Sequence, residues 1–171
     1  MMNSTTALLS VDLLMTGFAA GTTVFFFFIQ SPLLIKRLGR EKFVPVMMAL
    51  TRMFFQVMFP TVTIIALASV LINQKLQSSA SSVPASLTLA LTAWLAVAIN
   101  RFLFVPMALK AGARSHQERK GDNGKDLADF DVSGGSKSST KALHQTVVVF
   151  VLIMTAALVA HLGVTVSSLT T

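Results

Sequence analysis

Cysteine is absent from this 171-residue chain, and charged side chains are scarce. Without cysteine the protein has no disulfide, no thiolate metal ligand and no cysteine nucleophile. Charged residues make up 12% of the chain, about half of the roughly 25% that is usual in soluble domains. The N-terminal segment, MMNSTTALLSVDLLM, contains no Lys or Arg, so it matches neither a secretory signal nor a mitochondrial presequence. We expect any organellar targeting to use internal spans.

Motifs of catalysis and metal binding are also missing from the sequence. It has no G-x-S-x-G, no glycine-rich phosphate loop, no His-x-x-His and no Glu-x-x-His. His144 and His161 lie on one predicted helix about 25 Å apart, so they cannot be the two axial ligands of one haem. We therefore expect no catalytic residue, no metal and no cofactor, and we expect the protein not to be an enzyme.

Apolar residues dominate instead, at 53% of the chain, with a mean hydropathy of +0.70. Four apolar segments, over about 8–35, 52–72, 87–109 and 143–166, reach the ~20 residues that a membrane-spanning helix needs. The sequence thus predicts an all-α bundle of four transmembrane helices in a single integral membrane domain, 1–171. Residues 41–50 either begin the second helix or form a short helix on the membrane surface. Residues 110–141 are polar and are expected to form a mobile loop.

Proline and glycine positions predict details of the helices. The first segment is longer than a span requires, so we expect it to be tilted. Kinks are expected at three prolines, namely Pro32, Pro60 and Pro106. Gly17 and Gly21 lie one turn apart and favour close packing against another helix, in this chain or in another.

The basic residues indicate the orientation of the bundle. Every Lys and Arg except Lys75 lies near the turn after the first segment, or between Arg101 and Lys141. With four spans both groups fall on one side, which the positive-inside rule places in the cytoplasm, or in the matrix of a mitochondrion. Both termini are then on the opposite side. Contacts with anionic lipid headgroups are expected at Lys36, Arg37, Arg40, Lys42, Lys110 and Arg114. Acidic residues among the loop cations, and a single Phe, disfavour nucleic acid.

A few polar residues lie in or near the predicted spans, where ionisable groups suggest function. The candidates for a structural or polar site are Asp12, Arg52, Asn100, Arg101, His144 and His161. Asp12 is expected in the headgroup region, at a depth that matches His161 but not Arg101, and an Asp12–His161 pair could carry a proton. Arg101, about 12 Å from the inner end of its segment, can extend its side chain toward the charged side. With Asn100 it forms either a structural pair or a functional polar site.

Short motifs resemble those of the transmembrane protein 205-like family, a four-span membrane family with a domain of unknown function. They are Gly17, Pro32, the stretch LGREKF at 38–43, Asn100 with Arg101 and Pro106, and His144 near the start of the last helix. Val44 departs from the family's usual glycine. The resemblance implies the four-span fold and, for function, export or trafficking at most.

The sequence as a whole favours a non-catalytic accessory or scaffold subunit in a larger membrane complex, for example a respiratory-type assembly in a mitochondrial inner membrane. Its expected partners are membrane lipids and other membrane protein subunits. The alternative is a small transporter or a transport- or trafficking-associated protein. A third and weaker alternative is an enzyme that uses Asn100, Arg101 and His144 at the inner leaflet.

Overall fold

Four long apolar helices form the structure, a computed structural model that describes residues 4–76, 84–108, 110 and 135–170. Helix α1 covers Ser4–Val24, α2 covers Ser31–Leu76, α3 covers Ala85–Ile99 and α4 covers Gly135–Thr170, and π-helical segments cover Phe25–Gln30 and Asn100–Phe104. The described part of the chain contains no strand. The predicted all-α, four-span fold is confirmed.

The stretches that are long and apolar enough to span a membrane have different boundaries from these helices. The first span is Ser4–Gly39, the second Ala49–Lys75, the third Ala85–Ala108 and the fourth Gln145–Ser167. Within helix α2 the backbone leaves the helical conformation at Gly39, which has φ 68° and ψ 165°. Only glycine adopts that conformation without strain. Gly39 therefore makes the turn from the first span to the second, and residues 41–50 are the first turns of the second helix.

The loop predicted over 110–141 ends earlier than expected. Helix α4 already begins at Gly135, so 135–141 extend the fourth helix beyond the apolar segment. No proline interrupts this stretch, and a helix anchored by its span can propagate into adjoining polar residues at little cost. The rest of the predicted loop, 111–134, lies outside the described residues.

Two of the three prolines expected to kink a helix follow a π-helical segment. Pro32 comes just after Phe25–Gln30, and Pro106 just after Asn100–Phe104. Proline lacks an N–H and its ring crowds the carbonyl one turn back, and the wider i→i+5 bonds of a π-turn relieve that conflict. Helix α2 by contrast stays helical through Pro60.

Each span packs against the next, and the fourth returns to pack against the first. Large apolar side chains from three spans fill the centre at 0% or 1% exposure, namely Phe55, Met58, Val62, Ile65, Val97, Met154 and Leu158. Between the first and second spans the rings of Phe26 and Phe54 stack at 4.8 Å. Phe25 and Phe28 point outward, as expected for four successive Phe residues that cannot share one groove.

Candidate functional site

A buried polar cluster joins all four spans at the end of the bundle that holds Ser4 and Thr170. Nε2 of His161 lies 2.9 Å from Oδ2 of Asp12, and its Nδ1 lies 2.9 Å from the carbonyl oxygen of Ser86. The hydroxyl of Ser69 donates to Oδ1 of Asp12 at 3.3 Å. We call these four residues the four-span cluster. Since each comes from a different span, the cluster fixes how the helices sit relative to one another.

The structure places Asp12 inside the bundle. Its side chain is 1% exposed, and its expected position at the depth of the headgroups stays a prediction. Asp12 shares a helix face with buried Thr16, Ala19 and Thr23, at spacings of four, three and four residues, so it points into the bundle. The predicted match in depth with His161 is confirmed by their contact, and Arg101 lies at the other end of the bundle.

The hydrogen bonds of His161 show where a proton is held. A carbonyl oxygen only accepts, so Nδ1 must donate its N–H to Ser86. Nε2 then contacts a carboxyl oxygen of Asp12, and that contact needs a proton on one of the two atoms. The pair therefore holds one proton between carboxylate and imidazole, either as an ion pair or as two neutral groups. In both forms the buried pair has no net charge, which limits the cost of placing it in a membrane.

Arg101 binds backbone oxygens of the second span. Its Nη1 donates to the carbonyl oxygens of Phe55 at 3.1 Å and Gln56 at 3.3 Å. Gln56 is four residues before Pro60, which has no N–H, so the carbonyl of Gln56 lacks its normal helical donor. Arg101 supplies a donor in its place.

Aromatic faces complete the surroundings of Arg101. Its guanidinium carbon lies 5.1 Å from the ring centre of Phe59 and 5.4 Å from that of Phe102. Both distances are within the range of cation–π attraction, which is stronger away from water. These contacts connect Arg101 to the second span through backbone carbonyls and an aromatic ring, and none of them involves Asn100.

Asn100 is fully buried at the start of the second π-helical segment. Neither its side-chain oxygen nor its side-chain nitrogen has a hydrogen-bond partner among the described residues. Within the described part of the chain, Asn100 therefore makes no side-chain hydrogen bond across to another helix.

A cleft of about 390 Å³ lies between the second and third spans, at the end of the bundle opposite the four-span cluster. We call it the basic cleft, because Arg52, Arg101 and Lys110 line it and, among the described residues, no acidic side chain does. Phe55, Phe102, Val105 and Pro106 supply apolar wall, and Gln56 supplies an amide. Two candidates of the predicted polar site, Arg52 and Arg101, thus share one site with a predicted headgroup contact, Lys110.

The remaining predicted residues do not join either site. Gly17 and Gly21 face outward, and nothing of the described chain lies within 4 Å of where a side chain at either position would begin. Within the part of the chain that the structure describes, no helix packs closely on these glycines, and close packing against a helix of another chain stays a prediction. Lys36, Arg37 and Lys42 are exposed. The side chains of Arg40 and His144, and the whole of Arg114, lie outside the described part.

An apolar layer separates the four-span cluster from the basic cleft. Along the second span, Ser69 and Phe55 are about 21 Å apart at 1.5 Å per residue. Between them the interior is filled by Met58, Val62 and Ile65, all at 0% exposure. The described residues thus form two polar sites at opposite ends of a closed apolar core.

Sequence reasoning missed several members of these sites. Ser69 was not singled out, although it is a hydroxyl within a long apolar run. The carbonyl of Ser86 carries no sequence signal at all, because every residue has one. The link from Pro60 through Gln56 to Arg101 combines two features that the sequence did show separately, a proline within one span and an arginine within the next.

Comparison with known proteins gives one match. A family described as "Domain of unknown function (DUF4149)" matches residues 14–117. No curated protein and no solved structure matches the chain. The matched region includes most of the first span, the whole of the second and third spans, the Gly39 turn and all the residues that line the basic cleft.

Proposed function

The chain belongs to the DUF4149 family, whose function is unknown, and we propose that it is a non-catalytic accessory or scaffold subunit of a larger membrane protein complex. Within the family we place it with the transmembrane protein 205-like members, because of the LGREKF stretch and of Pro106 following Asn100. We also propose that the end with the basic cleft faces the cytoplasm or the matrix, in keeping with the positive-inside rule.

The outward face of the first span is the observation that carries the proposal. Leu14, Phe18 and Phe25 are large and exposed on this face, and Gly17 and Gly21 leave a gap between them. Glycine costs a helix about 1 kcal/mol relative to alanine, and among the described residues nothing lies within 4 Å of where a Cβ at either glycine would be. A helix of another subunit that approaches closely along this groove gives both glycines a purpose.

The packing of the interior also supports the proposed accessory role. Met58, Val62 and Ile65, each at 0% exposure, fill the described interior between the two polar sites. The four-span cluster ties the helices together at one end, which suits a rigid packing element. A rigid bundle also keeps the groove at Gly17 and Gly21 on the first span in a fixed shape for a partner.

Native gel electrophoresis in mild detergent tests the proposal. The protein should migrate within an assembly much larger than its own mass and should co-purify with other membrane proteins in fixed proportion. Migration as a monomer, or as a small oligomer of this chain alone, would contradict the accessory-subunit role.

A transporter is the second candidate, and the proton held between Asp12 and His161 is the observation that favours it. Proton-coupled transporters use ionisable groups of this kind inside the membrane. If this candidate is correct, His161→Ala abolishes solute flux in proteoliposomes at an unchanged amount of folded protein. Equal flux with the wild-type and the variant chain excludes the pair from transport.

A further inference from the structure

We propose that the basic cleft binds the headgroup of an acidic phospholipid that carries two negative phosphate charges. Its ligand is thus a lipid taken from the surrounding bilayer, with phosphate oxygens on the cations and the start of an acyl chain on the apolar wall. The argument rests on charge, depth and the shape of the wall.

The cleft gathers positive charge, and no acidic side chain among the described residues lines it. Arg52, Arg101 and Lys110 face one space, and the described acidic side chain, that of Asp12, is at the far end of the bundle. Three like charges in one cleft of low polarity repel one another. A ligand with two negative charges removes most of this repulsion.

The donors of Arg101 are arranged to leave an edge for an anion. Both hydrogen bonds that it makes to the second span come from Nη1. The guanidinium carries five N–H donors in a planar fork. The edge formed by Nε and Nη2 is the one that binds phosphate oxygens in pairs.

Depth distinguishes a lipid from a soluble anion. Arg101 lies about 10 Å inside the end of the third span at Ala108, and Arg52 lies about 5 Å inside the start of the second span at Ala49. Lys110 follows just beyond the third span. The cations therefore run from the headgroup level into the hydrocarbon. An arginine so placed draws a lipid phosphate toward itself.

The wall of the cleft fits an amphiphile. Phe102, 58% exposed, lines both the cleft and the outer surface of the third span, so it connects the cationic site with the lipid around the bundle. Val105 and Pro106 continue the apolar wall. A volume of about 390 Å³ is at the lower end of ligand pockets, roughly 300–1,000 Å³, which suits a headgroup whose chains stay in the bilayer.

Native mass spectrometry of the full chain in detergent tests the proposal, with cardiolipin, phosphatidylglycerol, phosphatidylcholine and inorganic phosphate titrated separately. The informative variant is the double change Arg52→Gln with Lys110→Gln, which spares Arg101 and its bonds to the second span. Lys36→Gln with Arg37→Gln is the matched control, because it removes two exposed cations at the same end of the bundle.

We expect cardiolipin to bind the wild-type chain more tightly than phosphatidylglycerol, and phosphatidylcholine to bind weakest. Each lost charged hydrogen bond should weaken cardiolipin binding by about tenfold or more, so the Arg52/Lys110 variant should lose about a hundredfold. The control removes only exposed headgroup contacts outside the cleft, so it should lose about threefold at most. Equal losses in both variants, no preference for acidic lipid, or displacement of cardiolipin by inorganic phosphate would each overturn the proposal.

Discussion

At the scale of single residues, Arg101 and Pro60 each offset an energetic cost that the other introduces. Proline within a membrane helix leaves a carbonyl without its donor, and an unpaired arginine within a membrane is costly. Here the arginine donates to the carbonyl that the proline leaves free, at 3.3 Å. The two liabilities therefore offset each other in one contact between the second and third spans.

Arg101→Ala should lower the free energy of unfolding by about 1–3 kcal/mol, because the carbonyls of Phe55 and Gln56 lose their donor. Pro60→Ala restores an N–H to the helix, so the double variant should recover part of this loss. A double-mutant cycle of unfolding in detergent measures the coupling. Arg37→Ala, which removes an exposed cation near the Gly39 turn, is the control. Strictly additive effects at Arg101 and Pro60 would contradict the pairing.

The Asp12–His161 pair gives a second prediction at this scale. Removing one partner of a buried pair leaves the other uncompensated, so His161→Ala should destabilise the bundle by about 3–5 kcal/mol. Asp12→Asn keeps a polar group beside His161 and should cost less. The double change Asp12→Ala with His161→Ala should recover much of the loss, since no charge is then buried. Thermal unfolding in detergent reports all three. A double variant as unstable as His161→Ala would be the contrary result.

At the scale of the elements, glycine acts differently in a turn and in a helix. Gly39 has a positive φ and joins two helices by itself, whereas Gly163 is helical and has open space around it. The same substitution at the two positions therefore separates the backbone requirement of the turn from general helix preference.

Gly39→Ala should destabilise the protein by about 1–3 kcal/mol, because alanine is strained at φ 68° and ψ 165°. Gly163→Ala should be neutral or stabilising by up to about 1 kcal/mol, because alanine is the better helix former. Chemical unfolding in detergent compares the two variants directly. If both shift stability in the same direction and by the same amount, the turn does not depend on Gly39.

The helices also show which features of the fold could be predicted from the sequence. Apolar run lengths set the number of helices, and Gly39, with charge on both sides of it, marked the first turn. Pro32 and Pro106 marked where the helices are irregular, but not that the irregularity would be π-helical, and helix α2 stays helical through Pro60. At Pro60 the freed carbonyl of Gln56 accepts from Arg101 of the third span, a contact that the sequence of the second span alone does not reveal.

The candidate sites were less predictable than the helices for the same physical reason. Depth alone matched Asp12 to His161, since both lie a similar distance from the same end. Which way a side chain faces depends on helix rotation, so burial of Asp12 and outward exposure of Gly17 could not be derived from spacing. The basic cleft requires the second and third spans to be neighbours, a fact of packing that Arg52 and Arg101 do not reveal on their own.

At the scale of the whole molecule, the bundle has two different ends. Ser4, Lys75 and the four-span cluster lie at one end, with Nζ of Lys75 donating to Oγ of Ser4 at 2.7 Å. The Gly39 turn and the basic cleft lie at the other. The absence of cysteine from the chain makes the orientation of these ends directly measurable.

Single cysteines introduced as Ser4→Cys and Lys36→Cys should react with a membrane-impermeant thiol reagent from opposite sides of the membrane. We expect Lys36→Cys to react only after the cytoplasmic or matrix side is opened to the reagent, in accordance with the positive-inside rule. The unmodified, cysteine-free chain is the background control. Labelling of both positions from one side would contradict the placement of the two ends of the first span on opposite sides of the membrane.

Packing of the first span against another subunit is the central claim, and native gel electrophoresis of glycine variants tests it most directly. Gly17→Ile with Gly21→Ile fills the outward groove of the first span, while Gly163→Ile changes an equally open, exposed glycine on the fourth span. We predict that the Gly17/Gly21 variant leaves the large assembly and migrates alone, and that the Gly163 variant remains in it. A Gly17/Gly21 variant that still migrates with an unchanged assembly would contradict the claim.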